Sequence, residues 1–498
     1  MNVNPITRLD YPDPDVIRVE DTYYMVSTTM HFMPGCEILQ SFDLVHWEHV
    51  TYVYETLDHT DAQQLKSGQN IYGQGMWAAS LRYHEGRFYI CFVANDTRKT
   101  YLYTSEKIDG PWKKQLIEGF YHDGSLLFDE DGRNYIVYGN DEIWITELNE
   151  DLTAPKKDGL HRLLVSDHKN PELGYEGSHI QKINGYYYIF LIHSLRDRWM
   201  RTEACFYSDS LEGEFTGGDV LCDDRGYCGQ GVAQGGIVDT PDGKWYAMLF
   251  QDSGAVGRIP ILVPVTWKDH FPVFGQNGHV PEEIEVHSTR PGYIYQPLVG
   301  SDDFCNGLLP RWQFNHDPDP RYYHLDALQG TYTITTREVC TELTQAVNTL
   351  TQRMSYPSCA AEVTVDASAL KEGDVAGLCA LQGCYAAVGI TKHHGKYEVL
   401  MLDKKEDGIL DMTERTVVES HQMDFRLEAD FCNMKDEARC YYRVNKGDWL
   451  PIGTAHKLYF KLDHFTGCRF GLFCYAAEET GGSACFRDFK YYDVDEIS

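Results

Sequence analysis

Three acidic residues recur at one position of a repeating pattern. A turn, an aromatic–tyrosine pair and an apolar run occur together five times, with the pair ending at Tyr24, Tyr89, Tyr135, Tyr188 and Tyr246. Twelve residues before Tyr135 lies Asp123, and twelve before Tyr188 lies Glu176. Eleven before Tyr24, in the copy whose turn lacks glycine, lies Asp13. The same count gives Trp77 in the second copy and Gln234 in the fifth. Three carboxylates in one pocket repel each other, so some must hold protons more tightly than usual. Glycosidic bond cleavage needs such a set: one carboxyl protonated to release the leaving oxygen, another ionised to activate water or attack carbon. A third can keep the acid's pKa high by like-charge repulsion, and a tryptophan offers a flat apolar face to a sugar ring. The bland alternative is that Asp13 and Asp123 cap turns while Glu176 pairs with an arginine.

The elements that would position these residues can be read from the same repeat. Its turns, such as Glu85-Gly86, Asp131-Gly132, Asn184-Gly185 and Asp242-Gly243, lie between β-rich runs. Asn-Gly and Asp-Gly suit the positive φ of a type I′ hairpin turn. The mean spacing of the tyrosines is about 55 residues, enough for the four short strands of one propeller blade. A second echo, Ser41-Phe-Asp-Leu to Trp47, returns near Ser105 to Trp112 and Ser208 to Phe215. Five copies over residues 1–290 predict a five-bladed β-propeller. Equivalent positions on the innermost strands then converge on one end of the central channel. Residues 291–300 read as the end of a Gly/Pro-containing linker, and residues 301–498 as a β-sandwich of short alternating strands. The expected class is all-β.

Composition narrows the partners. Forty-four basic against 75 acidic residues leave a net charge of −31 among 498 residues, which opposes binding to nucleic acid or an anionic membrane. No apolar run approaches the roughly 18 residues of a membrane span, and no signal peptide is recognisable at residues 1–15, so a cytoplasmic location is expected. The 15 scattered cysteines contain no CxxC pair and read as free thiols. His393-His394-Gly395 looks metal-like but reads as a hairpin tip, and Asp403 to Asp411 as a solvated turn. Asp15, two residues from Asp13 but off the repeat register, ranks second as a base.

Several segments resemble glycoside hydrolase family 43: NPITRLDYPDPDVIRVEDTYYMVSTTMHFMPG, GMWAASLRYHEGRFYI, YHDGSLLFDEDGRNYIVYG, YEGSHIQKINGYYYIF and QGGIVDTPDGKWYAMLFQDSGAVGRIPILVPVTW. SDDFCNGLLPRWQFNHDPDPRYY resembles the start of the concanavalin-like, jelly-roll sandwich that many members carry. The resemblance implies an inverting glycosidase. Asp13 would be the general base, Asp123 the residue that tunes and orients the acid, and Glu176 the general acid. It further implies Trp77, Arg258 and the Phe32 loop as substrate contacts, with Gln234 lining the pocket. Many members carry a channel histidine where this sequence has Gly229 to Gly236, with Gln234 within it. No cofactor is required, though a channel calcium ion is possible because a glutamine oxygen can ligate it.

The expected reaction is a single displacement. Protonated Glu176 donates to the glycosidic oxygen while Asp13 takes a proton from water on the opposite face. Asp123 stays charged and keeps Glu176's pKa raised. An inverting pair needs its carboxyls roughly 6.5–9.5 Å apart. The expected substrates are oligosaccharides such as arabinoxylan fragments, with terminal α-L-arabinofuranose or β-D-xylose released. A galactan-directed exo-glycosidase, a non-catalytic carbohydrate-binding propeller and a retaining invertase-like furanosidase are the alternatives. The last lacks its NDPNG-type and Arg-Asp-Pro motifs here. The sandwich is expected to close one side of the pocket, and a homo-oligomer is allowed.

Overall fold

A computed structural model describes residues 3–493. Its first part is a five-bladed β-propeller, each blade built around an antiparallel sheet. The first blade holds Asp15–Val19, Thr22–Val26, Gly35–Ser41 and Glu48–Tyr54. The next three begin with the inner strands Met76–His84, Ser125–Phe128 and Glu176–Ile183. In the fifth, the inner position is split between Val232–Ala233 and Ile237–Asp239, both paired to Trp245–Asp252. The break falls at Gln234, whose φ is +63°.

The repeat's turns divide into two kinds. At Glu85-Gly86 and Asn184-Gly185 both residues have positive φ, as a two-residue type I′ turn requires. Asp131-Gly132 and Asp242-Gly243 depart from that expectation. Only the glycines are left-handed there, because the loops are longer and close through Asp129 N–H to the Arg133 carbonyl and Thr240 N–H to the Lys244 carbonyl. The second echo is a serine turn after the third strand of a blade. The hydroxyls of Ser41, Ser105 and Ser208 accept the backbone N–H groups of Asp43, Lys107 and Ser210.

The ring is closed by the start of the chain. Ile6 N–H bonds to the Pro260 carbonyl, and the Asn4 side chain brackets Leu262 from both sides. Residues 275–300 hold little regular structure and strap the first blade, with Thr289 and Tyr295 bonding Phe42 and Arg290 pairing with Asp21.

The second part is a sandwich of an eight-stranded and a seven-stranded sheet. Strand Gln422–Asp430 alternates buried and half-buried residues, whereas Val375–Leu381 and Arg469–Tyr475 are buried throughout. The reason is that the eight-stranded sheet is covered on both faces. One face packs into the sandwich core with Leu378 and Leu472, and the other carries Cys379, Phe473 and Tyr475 against Phe32 of the propeller. The edge of this sheet is lent by the first blade: Phe32–Met33 pairs with Gln313–Asn315.

Buried polar groups fasten the junction. Arg353 meets Glu37 at 2.9 Å and lies 4.0 Å over the Tyr11 ring, and Asp10 accepts the N–H groups of Gly467 and Arg258 at 2.8 Å each. His31 and Tyr72 of the propeller pack their rings against His316 and His464 of the sandwich. All 15 cysteines are free. His394 and Gly395 form the tip of the hairpin joining Ala386–His393 to Lys396–Lys404.

Candidate active site

Asp13 and Asp123 each sit two residues before an inner strand, with φ of +53° and +48°. Glu176 is the first residue of its own inner strand. Left-handed φ is strained for residues other than glycine, although Asp tolerates it better than most. Here it aims both aspartates at one cavity. That cavity, of 720 Å³, lies between the propeller's face and the sandwich, and Asp13, Trp77, Asp123, Glu176, Gln234 and Arg258 all line it. Its size suits a small ligand.

Asp13 is buried and held at both oxygens. Thr28 Oγ1 donates to Oδ2 at 2.6 Å, and Arg258 Nη1 to Oδ1 at 2.9 Å. The Arg258 guanidinium is itself fixed over the Phe465 ring at 4.3 Å. Asp123 accepts the Gly177 N–H at 3.0 Å. Its carboxyl is pushed up to about 6: burial is the main cause, the charge of His122 opposes it, and the Glu176 and Asp13 carboxylates add to it. Glu176 is half-buried, and Asn140 Nδ2 donates to its Oε2 at 2.7 Å. Gln234 stands at the strand break with its N–H on the buried Glu203 carboxylate at 2.7 Å.

Two sequence expectations are corrected by the structure. Phe32 does not line the cavity. After Thr29 the chain turns away, Met30 bridges to Met76, and Phe32 enters the sandwich sheet with its ring 3.5 Å beneath the Arg469 guanidinium. Asp15, the second candidate base, is fully buried below the site. Its Oδ2 accepts from Arg82 at 2.8 Å and from the Leu81 N–H at 2.7 Å, and its Oδ1 lies 3.0 Å from His179 Nδ1. The charges of Arg82 and His179 outweigh burial and hold its pKa low.

Arg82 also donates to the carbonyls of Leu126 and Ile180, so its side chain spans the inner strands of the neighbouring blades and plugs the channel. A guanidinium beside an already saturated carboxylate does not fit the cage of six to eight oxygens that calcium takes. Nearer the cavity, His122, Asp123 and Glu176 have ligand-type atoms within 4.8 Å of one another. Asn140 donates to Glu176 Oε2 and the Gly177 N–H to Asp123 Oδ2, while His122 Nε2 lies 3.5 Å from both carboxylates without a hydrogen bond.

Sequence reasoning missed His122, Asn140 and Trp199, and although it expected the sandwich to close one side of the pocket, it named none of the residues that do so. His122 adjoins Asp123 in the chain, and a tally of titratable neighbours around each repeat position would have found it. Met434, Asp436 and the loop from Lys457 to Phe465 reach the cavity from the second part of the chain. No spacing in the sequence connects them to the propeller.

Comparison with known proteins agrees with this geometry. Residues 3–272 match the family described as Glycosyl hydrolases family 43, and residues 301–492 match the Beta xylosidase C-terminal Concanavalin A-like domain. A protein from Formosa agariphila named Beta-xylosidase is 27% identical over 99% of this chain and 89% of its own. Xylosidase/arabinosidase 43B of Humicola insolens is 27% identical over 98% and 96%. A solved structure described as a bifunctional GH43-CE protein of Bacteroides eggerthii is 42% identical with a TM-score of 0.93; it covers all of this chain, which spans 64% of that longer one. The first of the two matches takes in more than half of the sequence and the three acids Asp13, Asp123 and Glu176. The chain therefore belongs to glycoside hydrolase family 43, and it is a glycosidase acting on a carbohydrate substrate.

Proposed function

We propose that this enzyme is an exo-acting, inverting glycosidase that removes terminal α-L-arabinofuranose or β-D-xylose from oligosaccharides such as arabinoxylan fragments. Asp13 serves as general base, Glu176 as general acid, and Asp123 as the residue that orients the acid and tunes its proton. The observation that carries this reading is the shape of the cavity around the three acids. Deeper along the first inner strand than Asp13, the Asp15–Arg82–His179 group fills the channel, and one wall of the cavity is the loop from Lys457 to Phe465. A blind pocket accepts the end of a chain and excludes its middle. Trp77 and Phe465, with ring centroids 5.6 Å apart, give the terminal sugar an apolar wall. The exposed Trp199 and Leu462 stand where the next sugar would leave the pocket. The names of the relatives, xylosidase and xylosidase/arabinosidase, support pentoses as the class.

The test is hydrolysis of 4-nitrophenyl α-L-arabinofuranoside and β-D-xylopyranoside, with the first-formed anomer observed by proton NMR. Turnover with inverted product is expected, and the ratio of rates names the main substrate. A retained anomer would remove the inverting mechanism. Turnover of neither glycoside would point to a galactan-directed enzyme.

The state of Asp123 sets the acid side of the pH profile. Burial, with help from Glu176 and Asp13 and against His122, places its carboxyl at about 6, so its charge is present above that pH and lost as the pH falls through it. If that charge is required, kcat/KM should drop about tenfold per unit below roughly pH 6. Asp123→Asn should lie far below wild type at neutral pH and show no such limb. An acid limb that survives unchanged in Asp123→Asn assigns it to another group.

A further inference from the structure

The three acids account for the bond cleavage, but they do not explain why a histidine is wedged between two of them. His122 Nε2 lies 3.5 Å from Asp123 Oδ2 and 3.5 Å from Glu176 Oε2. Its ring is backed by Trp77, with centroids 5.8 Å apart. Asn140 Nδ2 approaches the same Glu176 oxygen at 2.7 Å. His122 and Asn140 are themselves tied together, because Gly139, adjacent to Asn140, donates its N–H to the His122 carbonyl at 3.0 Å. Gly139 has a φ of +143°, and a Cβ there would meet the Glu142 carbonyl oxygen at 1.9 Å. The hairpin turn that carries Asn140 thus needs a residue without a side chain.

We propose that His122 and Asn140 act as positioning residues that hold Glu176 Oε2 as an acceptor, so that the transferable proton of Glu176 resides on Oε1, facing the cavity. The argument is one of donor and acceptor geometry. A nitrogen within reach of two carboxylates and no acid hydrogen carries its own proton toward them. Burial alone would strip that proton, but the charges of Asp123, Glu176 and Asp13 outweigh it and place the imidazole at about 9. The Asn140 amide N–H is bonded to Oε2, and the imidazole Nε2 stands 3.5 Å from the same oxygen without a hydrogen-bond partner of its own, so a hydrogen placed on Oε2 would face the amide N–H and crowd the imidazole. Oε1 has no hydrogen-bond partner among the described residues and is free to carry the proton.

The imidazolium and the Asp123 carboxylate together are close to neutral, so the pair can orient Glu176 without draining its proton. Asp123, which binds the Gly177 N–H as well, acts on the acid partly through His122. Acid and imidazole are thereby fixed before substrate arrives, as preorganised catalysis requires.

This inference rests on the reading of Glu176 as the acid, and the experiment separates the two. His122→Phe keeps the packing against Trp77 and removes the donor; His122→Gln keeps a donor; Asn140→Ala removes the other. Each is assayed with wild type and Glu176→Ala on 2,4-dinitrophenyl and 4-nitrophenyl glycosides of the preferred pentose and on the matching unactivated disaccharide. A misdirected proton matters only when the leaving group needs it. His122→Phe and Asn140→Ala should therefore lose about 10- to 100-fold in kcat on the disaccharide, less than about threefold on the dinitrophenyl glycoside, and little in KM. His122→Gln should recover most of the loss.

Uniform losses on all three substrates in the His122 and Asn140 variants would show a merely structural role and overturn the proposal. Wild-type kcat on the disaccharide in both variants would also overturn it. If Glu176→Ala itself shows no dependence on the leaving group, the assignment of the acid fails first. If it shows that dependence and the other variants do not, only the positioning role fails. Should His122→Phe not fold, Asn140→Ala carries the same test alone.

Discussion

Asp13→Asn is expected to lower kcat by about a thousandfold or more on every glycoside, activated or not, with KM and the melting temperature nearly unchanged. The uniformity is the informative part. Water must be activated whichever group leaves, so loss of the base does not depend on the aglycone. Asparagine matches the shape of the aspartate and keeps one oxygen for Arg258 or Thr28, the two partners that now hold Asp13 at 2.9 and 2.6 Å. Its amide cannot take a proton from water. The substitution also leaves Arg258 with less countercharge in a buried setting, and the Phe465 ring 4.3 Å beneath it tempers that cost. Steady-state kinetics on both 4-nitrophenyl pentosides, alongside thermal melts, checks the outcome. A variant with a tenth or more of wild-type activity would require a different base, and Asp15, locked onto Arg82 and His179, is not placed to serve as one.

Glu176→Ala should show the opposite pattern. On an unactivated disaccharide the loss is expected to reach about 10³- to 10⁴-fold, because an alkoxide is a poor leaving group without a proton. On a 2,4-dinitrophenyl glycoside, whose phenolate departs unaided, about tenfold or less should be lost. Asn140 would lose its acceptor, but it lines the open cavity and His122 keeps Asp123 at 3.5 Å, so the fold should survive. A plot of log kcat against leaving-group acidity should be nearly flat for wild type and steep for the variant. Parallel lines would remove Glu176 from the role of acid.

Much of this site was legible because a propeller turns sequence periodicity into rotational position. The interval back from each anchor tyrosine lands on Asp13, Trp77, Asp123, Glu176 and Gln234, and all five line one cavity. Arg258 was indicated by family resemblance. What stayed hidden lacked that periodicity. The register that marks Asp123 passes over its neighbour His122, although the two side chains meet the same Glu176. Phe32 was misread because a loop's resemblance does not say which way the chain turns, and here a two-residue strand pairing with Gln313–Asn315 decides it. The wall from Lys457 to Phe465 comes from the far end of the chain, and only the docking of the two parts brings it to the acids. The uninterrupted apolar strands of the sandwich carried a signal in their composition, since strands buried on both faces lose alternation, but nothing named the partner that buries them.

The two-residue strand that the first blade contributes to the sandwich has a consequence for modularity. The family's two regions look separable in sequence, and a boundary near residue 300 invites excision of the propeller as a minimal catalyst or exchange of the sandwich for another module. In this protein such a cut would strip the eight-stranded sheet of its last member and leave Phe32 and Met33 without a partner. It would also open the junction of His31 and Tyr72 with His316 and His464 and remove the wall that holds Phe465 over Arg258. The unit of engineering is therefore the two parts together: the sandwich is a structural cofactor of the propeller, and a recombined variant keeps a working site only if the donor supplies a matching sheet edge and a matching loop together.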